Sequence, residues 1–367
     1  MNRLGLKILI IAITISIIGV FSIYSSTYQK DGEFWQVIYQ RQLLWVMFGC
    51  FLFLLMANFN YRRLWDWNPV LYIAAVLLLL LVFILGITRL GAQRWLHLGG
   101  FNFQPSEIVK LVMAIFLARY FSKKGVDDIS LKASKFGVTR AVLVPFIFIA
   151  VPVGLIIEQP DLGSGTIIFL LFLVMLYFSN VRLKYFIMII VLFAASFPFV
   201  WHYLRDYQKD RILVFLNPNI DPLGAGYTII QSKIAIGSGG IFGKGWLAGT
   251  QSQLHFLPES HTDFIFATFS EQWGLFGGVI LLLLYFLLIF YGIKIAENTR
   301  DHFGRLLALA ISLILGIQVS INIAMNMGFA PVVGIPLPLM SYGGSSICMT
   351  YIALGLLASI SKRRAVF

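Results

Sequence analysis

The sequence predicts an all-α polytopic membrane protein of about ten transmembrane helices, with one large extracytoplasmic loop between the seventh and eighth. Three observations carry this. Of 367 residues, 59% are hydrophobic and only 12% are charged, whereas a soluble domain carries roughly 25% charged residues. Charge-free stretches about one hydrocarbon thickness long recur along the chain. Basic residues gather in alternate connections. So few charges cannot cover a soluble enzyme. The composition also excludes a disordered chain and a nucleic-acid-binding domain, despite a formal net charge of +12. Cys50 and Cys348 lie in apolar stretches and support no disulfide framework. Five histidines without clustered cysteine or histidine ligands predict no transition-metal site.

In order, a basic leader, Met1 to Lys7, precedes Ile8–Gln29, which is uncharged and long enough to remain as a spanning helix rather than a cleaved signal. Further spans follow at Gln42–Tyr61, Trp67–Thr88, Ala141–Ile157, Leu162–Val181, Tyr185–Leu204 and Gln272–Ile293. One more begins near Pro105 and ends near Phe121, although it carries Glu107 and Lys110. Leu306–Ser361 is too long for one helix. Its middle, Gly328–Ser346, is rich in Gly and Pro and splits it into two. Residues 1–367 thus read as a single transmembrane domain.

Ten spans put both termini on one side. With that side inside, the inner connections hold eighteen of the 28 Lys and Arg residues, as the positive-inside rule requires. Most of the +12 is then topogenic and faces anionic membrane lipid, and no nucleic acid or other polyanionic partner is needed. Outside lies the loop 205–262, far longer than ordinary connections. Its Trp, Phe and Leu content predicts short interfacial helices. Gly237–Gly245 predicts turns and close backbone approach.

Four stretches hold polar groups where apolar ones would be expected. In Gly91–Lys110, Arg94 precedes the fourth span. Pro105 suits a first helical position. Glu107 and Lys110, three apart, share a helix face. That spacing fits a local ion pair and equally fits charges lining a polar cavity. In Glu158–Gly165, Asp161 is placed to cap the sixth span. At the end of Gly249–Phe266, Thr262 or Asp263 could cap the eighth span, or Asp263 could face a substrate. Pro331–Ser346 is irregular backbone at membrane depth, which is tolerated only when buried in protein or lining a wet cavity.

Together these stretches resemble the SEDS family of membrane glycosyltransferases over nearly the whole chain. The resemblance rests on Arg94-Trp95, Gln104-Pro-Ser-Glu107 with Lys110, Pro160-Asp-Leu-Gly163, Leu257-Pro-Glu259 with His261-Thr-Asp-Phe-Ile-Phe266, and Pro338-Leu-Met-Ser-Tyr-Gly-Gly-Ser345. Gly249-Thr-Gln-Ser-Gln-Leu254 and the short tails resemble the RodA branch more than FtsW. Glu271-Gln-Trp-Gly274 departs from the usual pattern in its bulky Trp273.

The resemblance implies a peptidoglycan glycosyltransferase of cell elongation in the bacterial cytoplasmic membrane, with its active site on the outer face. It would polymerise lipid II beside a class B penicillin-binding protein. An α-linked lipid pyrophosphate donor and a β-1,4 product imply inversion, hence a base for the acceptor hydroxyl and cations for the departing pyrophosphate. Asp263 is the expected base. Arg94 and Lys110 are the expected phosphate ligands, with Glu107 holding Lys110. Asp161, Glu259, His261 and Ser341 complete the expected substrate site. No resident cofactor is expected, and a Mg or Mn ion bridging the pyrophosphate is compatible with this chemistry. The alternative is a flippase for the same lipid, whose site would lie nearer the midplane.

Overall fold

The computed structural model describes residues 2–29, 32–89, 92–99, 101–123, 142–179, 183–222 and 224–363. The predicted span limits Ala141 and Val181 lie outside these residues. So do Lys124, Lys132, Lys135, Arg140, Arg182 and Arg364 of the inner basic set.

The helices are α1 (Arg3–Thr27), α2 (Glu33–Asn58), α3 (Arg63–Leu85), α4 (Pro105–Lys123), α5 (Val144–Glu158), α6 (Leu162–Phe178), α7 (Leu183–Tyr203), α8 (Asp206–Leu216), α9 (Ala225–Ser238), α10 (Thr250–Gln253), α11 (Ile265–Glu297), α12 (His302–Met327) and α13 (Gly344–Arg363). Ten of them, α1–α7 and α11–α13, match the predicted spans one for one. Among the described residues, six are long and apolar enough to cross a membrane, and α5 and α6 are shorter apolar helices. The fold is that of an all-α polytopic membrane protein. Large apolar side chains such as Val70, Ile84 and Phe286 remain exposed, as a lipid-facing surface requires.

α13 packs along α2, α11 along α12, and α4 against both α3 and α12. The termini meet at one end of this bundle, where Asn2 Nδ2 donates to Ser361 O (2.8 Å) and Oγ (2.7 Å). The loop 205–262 holds the short helices α8, α9 and α10, with a 3-10 turn at Pro218–Ile220.

Two features depart from the expected pattern. First, the chain between α3 and α4 is an antiparallel three-stranded meander, β1 (Ile87–Arg89), β2 (Ala92–Leu98) and β3 (Phe101–Phe103). Leu98 pairs with Phe101 across Gly99-Gly100, a hairpin turn sequence. Second, α11 extends seven residues ahead of the charge-free stretch that starts at Gln272, from the entry expected beside Thr262 and Asp263, and so takes in Glu271. That residue is fully buried. Its carboxylate receives Lys244 Nζ (2.8 Å), Thr250 Oγ1 (3.1 Å) and the Gln251 amide (3.0 Å).

α11 breaks at Gly274, which adopts φ 63° and ψ −162°. The glycine-rich loop repairs the break. The amides of Lys244 and Gly245 donate to the carbonyls of Glu271 and Gln272, and those of Leu275 and Phe276 to Gly240 and Ile241. Four backbone groups freed by the break are thereby paired. A Cβ on Gly243 would lie 2.1 Å from the Gln272 carbonyl, so only glycine fits. The predicted close backbone approach is found here.

Candidate active site

The end of the bundle opposite the termini gathers most of the singled-out residues. Arg94 lies on β2, at the centre of the meander. Its Nε donates to Gln159 O (3.2 Å) and its Nη2 to Pro160 O. Gln159 is itself fixed to α3, its Nε2 donating to Leu79 O (2.8 Å). The meander therefore delivers a guanidinium to the α5–α6 turn and leaves Nη1 facing elsewhere.

Asp161 is buried and fully occupied. Oδ1 accepts the Ser164 amide (3.0 Å) and caps α6. Oδ2 accepts Gln104 Nε2 (3.1 Å) and Ser106 Oγ (2.9 Å). This carboxylate joins the start of α4 to the start of α6.

Asp263 behaves differently. It precedes α11, whose N-cap is Phe264 without a side-chain cap bond, so neither Thr262 nor Asp263 performs the capping that the sequence allowed. Among the described residues its carboxylate receives no hydrogen bond or ion pair, while its main-chain carbonyl accepts Asn322 Nδ2 and Asn326 Nδ2, each at 3.0 Å. Desolvation, reinforced by the nearby Glu259 and Asp161 and opposed by Arg211 and Arg94, raises its pKa from 3.8 to about 6.

Gly334, at φ +72°, faces this carboxylate. A Cβ there would lie 3.7 Å from Asp263 Oδ2 and 3.9 Å from Arg94 Nη1. The glycine keeps open the space between an acidic and a basic group. Arg211, on α8, is a member of this cluster that the sequence reading missed. Its pKa is lowered by burial and by Arg94, with Tyr207, Asp263 and Asp161 acting the other way. Its Nη1 is buried without a hydrogen-bond partner. As one of several basic residues in the 205–262 loop, it carried no distinguishing signal.

The other expected residues take varied places. Glu259 Oε2 accepts Thr262 Oγ1 (3.0 Å), and Glu259 acts on Asp263 through its charge. His261 is buried between the rings of Trp35 (5.1 Å) and Tyr342 (6.0 Å). Ser341 Oγ accepts the Leu337 amide (2.7 Å) and donates to Thr262 O (2.7 Å). It ties the 331–346 loop to the entry of α11. Glu107 and Lys110 form a buried ion pair of 2.7 Å. They line a separate cavity of about 30 Å³ with Gln318 and Thr350, between α4, α12 and α13, room for about two waters. Among the described residues, no group of three or more His, Cys, Asp or Glu side chains could hold a metal ion.

Comparison with known proteins agrees with this arrangement. A family model described as cell cycle protein, covering FtsW, RodA and SpoVE, matches residues 5–365. The peptidoglycan glycosyltransferase MrdB of Escherichia coli K12 is 42% identical over 357 residues, 97% of this chain and 93% of that protein. A probable peptidoglycan glycosyltransferase FtsW of Geobacter metallireducens is 35% identical over 370 residues, 99% of this chain and 96% of that protein. Among solved structures, one reported as the structural coordination of polymerization and crosslinking by a peptidoglycan synthase complex superposes with a TM-score of 0.81 at 32% identity. It covers 98% of this chain and 97% of the other. The Thermus thermophilus rod shape determining protein RodA gives 0.71 at 26%, covering 98% and 96%. With a matching family model over nearly its full length and the same helical frame, the chain belongs to the FtsW, RodA and SpoVE family of cell cycle proteins.

Proposed function

We propose that this chain is a peptidoglycan glycosyltransferase of the RodA type. It would polymerise lipid II into glycan strands for cell elongation, by inverting transfer with undecaprenyl pyrophosphate as leaving group. The observation that carries the reading is the Asp263 carboxylate. It is desolvated, it is not consumed by capping, and it faces Arg94 across an open glycine. A base with a pKa near 6 is mostly ionised at neutral pH and still able to take a proton. Asp263 would accept the proton of the acceptor hydroxyl as that oxygen attacks the anomeric carbon. The bond to the pyrophosphate oxygen breaks, and Arg94 and Arg211 would receive the developing phosphate charge. Glu259 keeps Asp263 basic by repulsion. Asp161, His261 and Ser341 hold the frame. Lys110, paired with Glu107 in its own cavity, would act on the lipid side.

The site would lie on the outer face of the bacterial cytoplasmic membrane with both termini inside, which suits the positive-inside distribution and the meeting of the termini at the opposite end. A class B penicillin-binding protein would be the crosslinking partner, supported by the similarity to a structure described as a polymerising and crosslinking complex. Incubating the purified chain with lipid II, with and without that partner, tests the reading. Glycan ladders on a gel support it. Translocation of lipid II between leaflets without polymer would instead favour the flippase.

A further inference from the structure

The base is held by an unusual device. α11 opens with the Phe264 carbonyl accepting the Thr268 amide (3.2 Å). One residue earlier, a continued helix would send the Ala267 amide to the Asp263 carbonyl. That bond is intercepted. The Ala267 amide donates to Asn326 Oδ1 (3.2 Å), while Asn326 Nδ2 donates to Asp263 O (3.0 Å). The side-chain amide stands between the two halves of a helical hydrogen bond and satisfies both. Asp263 is thus kept out of the helix without leaving a buried polar group unpaired.

A second asparagine one turn earlier on α12 reinforces the first. Asn322 Nδ2 also donates to Asp263 O (3.0 Å) and to Ile335 O (2.7 Å). Asn326 Nδ2 further meets Asn322 O (2.8 Å) and Asn322 Oδ1 (3.2 Å). From α9, Ser232 Oγ donates to Asn326 O (2.7 Å). Both asparagines are completely buried. Amides inside a membrane helix are expensive and mark sites where they do something. Ile335 follows Gly334, so Asn322 also binds together the two chain segments that flank the open space beside the Asp263 carboxylate.

We propose that Asn326, seconded by Asn322, is a positioning residue for the Asp263 carboxylate, holding residue 263 outside α11 so that its side chain points at Gly334 and Arg94. The inference rests on reading Asp263 as the base. Asn326→Leu is close in volume and lets the Ala267 amide bond the Asp263 carbonyl, which draws Asp263 into the first turn. A displacement of about 1 Å typically costs ~10²-fold in rate. The purified full chain, assayed on lipid II over pH 5–8, should then show kcat lower by ~10²-fold, KM within about twofold and an acid limb moved away from about pH 6, with the melting temperature close to that of the parent. Asn322→Leu should shift the same quantities in the same direction and carries the test if Asn326→Leu does not accumulate.

Parental kcat and an unmoved acid limb in these variants, while Asp263→Asn is inactive, overturn the positioning role alone. Reduced activity that tracks a lower melting temperature, with an unchanged pH profile, overturns it as well. Near-normal polymerisation by Asp263→Asn overturns the base and this inference together.

Discussion

Replacing Asp263 by Asn should make the protein more stable as it removes the base. The folded carboxyl has a pKa of about 6 against an ordinary 3.8, so the native state binds this proton more tightly than the unfolded chain. Below about pH 3.8 both states are protonated and the position costs nothing. As the pH rises toward 6 the unfolded state ionises first, and the native state is progressively penalised. Above 6 the penalty is complete. At ~1.36 kcal/mol per tenfold change in acidity it reaches about 3 kcal/mol. Asparagine is nearly isosteric and carries no charge to desolvate. Thermal unfolding in detergent should therefore show Asp263→Asn more stable by about 1–3 kcal/mol at pH 7.5, with the difference fading by pH 4. A capping role gives another pattern: Asn equal to Asp, and Ala destabilised by ~1 kcal/mol at any pH. An Asp263→Asn protein no more stable than the parent at pH 7.5, or a gain that does not depend on pH, would refute the reasoning.

Other outcomes follow from the same geometry. Lys110→Met leaves Glu107 buried without its cation and should cost about 3–5 kcal/mol, seen as poor accumulation in the membrane. Glu107→Gln combined with Lys110→Met should restore the yield, and restored polymerisation as well would make the pair structural. Gly334→Ala puts a methyl group beside Asp263 Oδ2 at a positive φ and should abolish polymer on the gel while protein levels persist. Gly243→Ala must push the Gln272 carbonyl away and should lower the melting temperature through the repaired break in α11. A cysteine at Ile220, which is 60% exposed, should react with an impermeant thiol reagent in intact spheroplasts of a strain whose chain has Cys50 and Cys348 replaced by Ser. Labelling only after lysis would reverse the orientation.

The helical frame was readable because a membrane span announces itself through absent charge. Pro105 marks the first residue of α4, and Asp161 caps α6 as its turn sequence suggested. The same rule on its own starts α11 only at Gln272, although the polar residues up to Asp263 already marked its entry. It treats every charge as lying in water, whereas Glu271 finds its partners in Lys244, Thr250 and Gln251 inside the protein. The meander was legible in principle from the short alternation Leu96-His97-Leu98 and from Gly99-Gly100, but a chain dominated by helical spans drew attention away from it. The candidate site was legible as a set of residues and not as a geometry. Nothing in the spacing says that Glu107 and Lys110 line a cavity between α4, α12 and α13 while Asp263 meets Gly334. Arg211 looks like any other loop cation until α8 folds back. Asn322 and Asn326 are ordinary helix residues until the first turn of α11 meets them. These contacts join positions tens to hundreds of residues apart, and no local pattern encodes them.

The most direct test of the account is a lipid II polymerisation assay with the purified chain and a class B penicillin-binding protein, comparing wild type with Asp263→Asn across pH 5–8. The wild type should build glycan ladders whose rate rises with pH through an acid limb near 6. Asp263→Asn should fall by ~10²–10⁴-fold, below detection on the gel, at every pH. Comparable ladders from both proteins, or none from either with all components active, would contradict it.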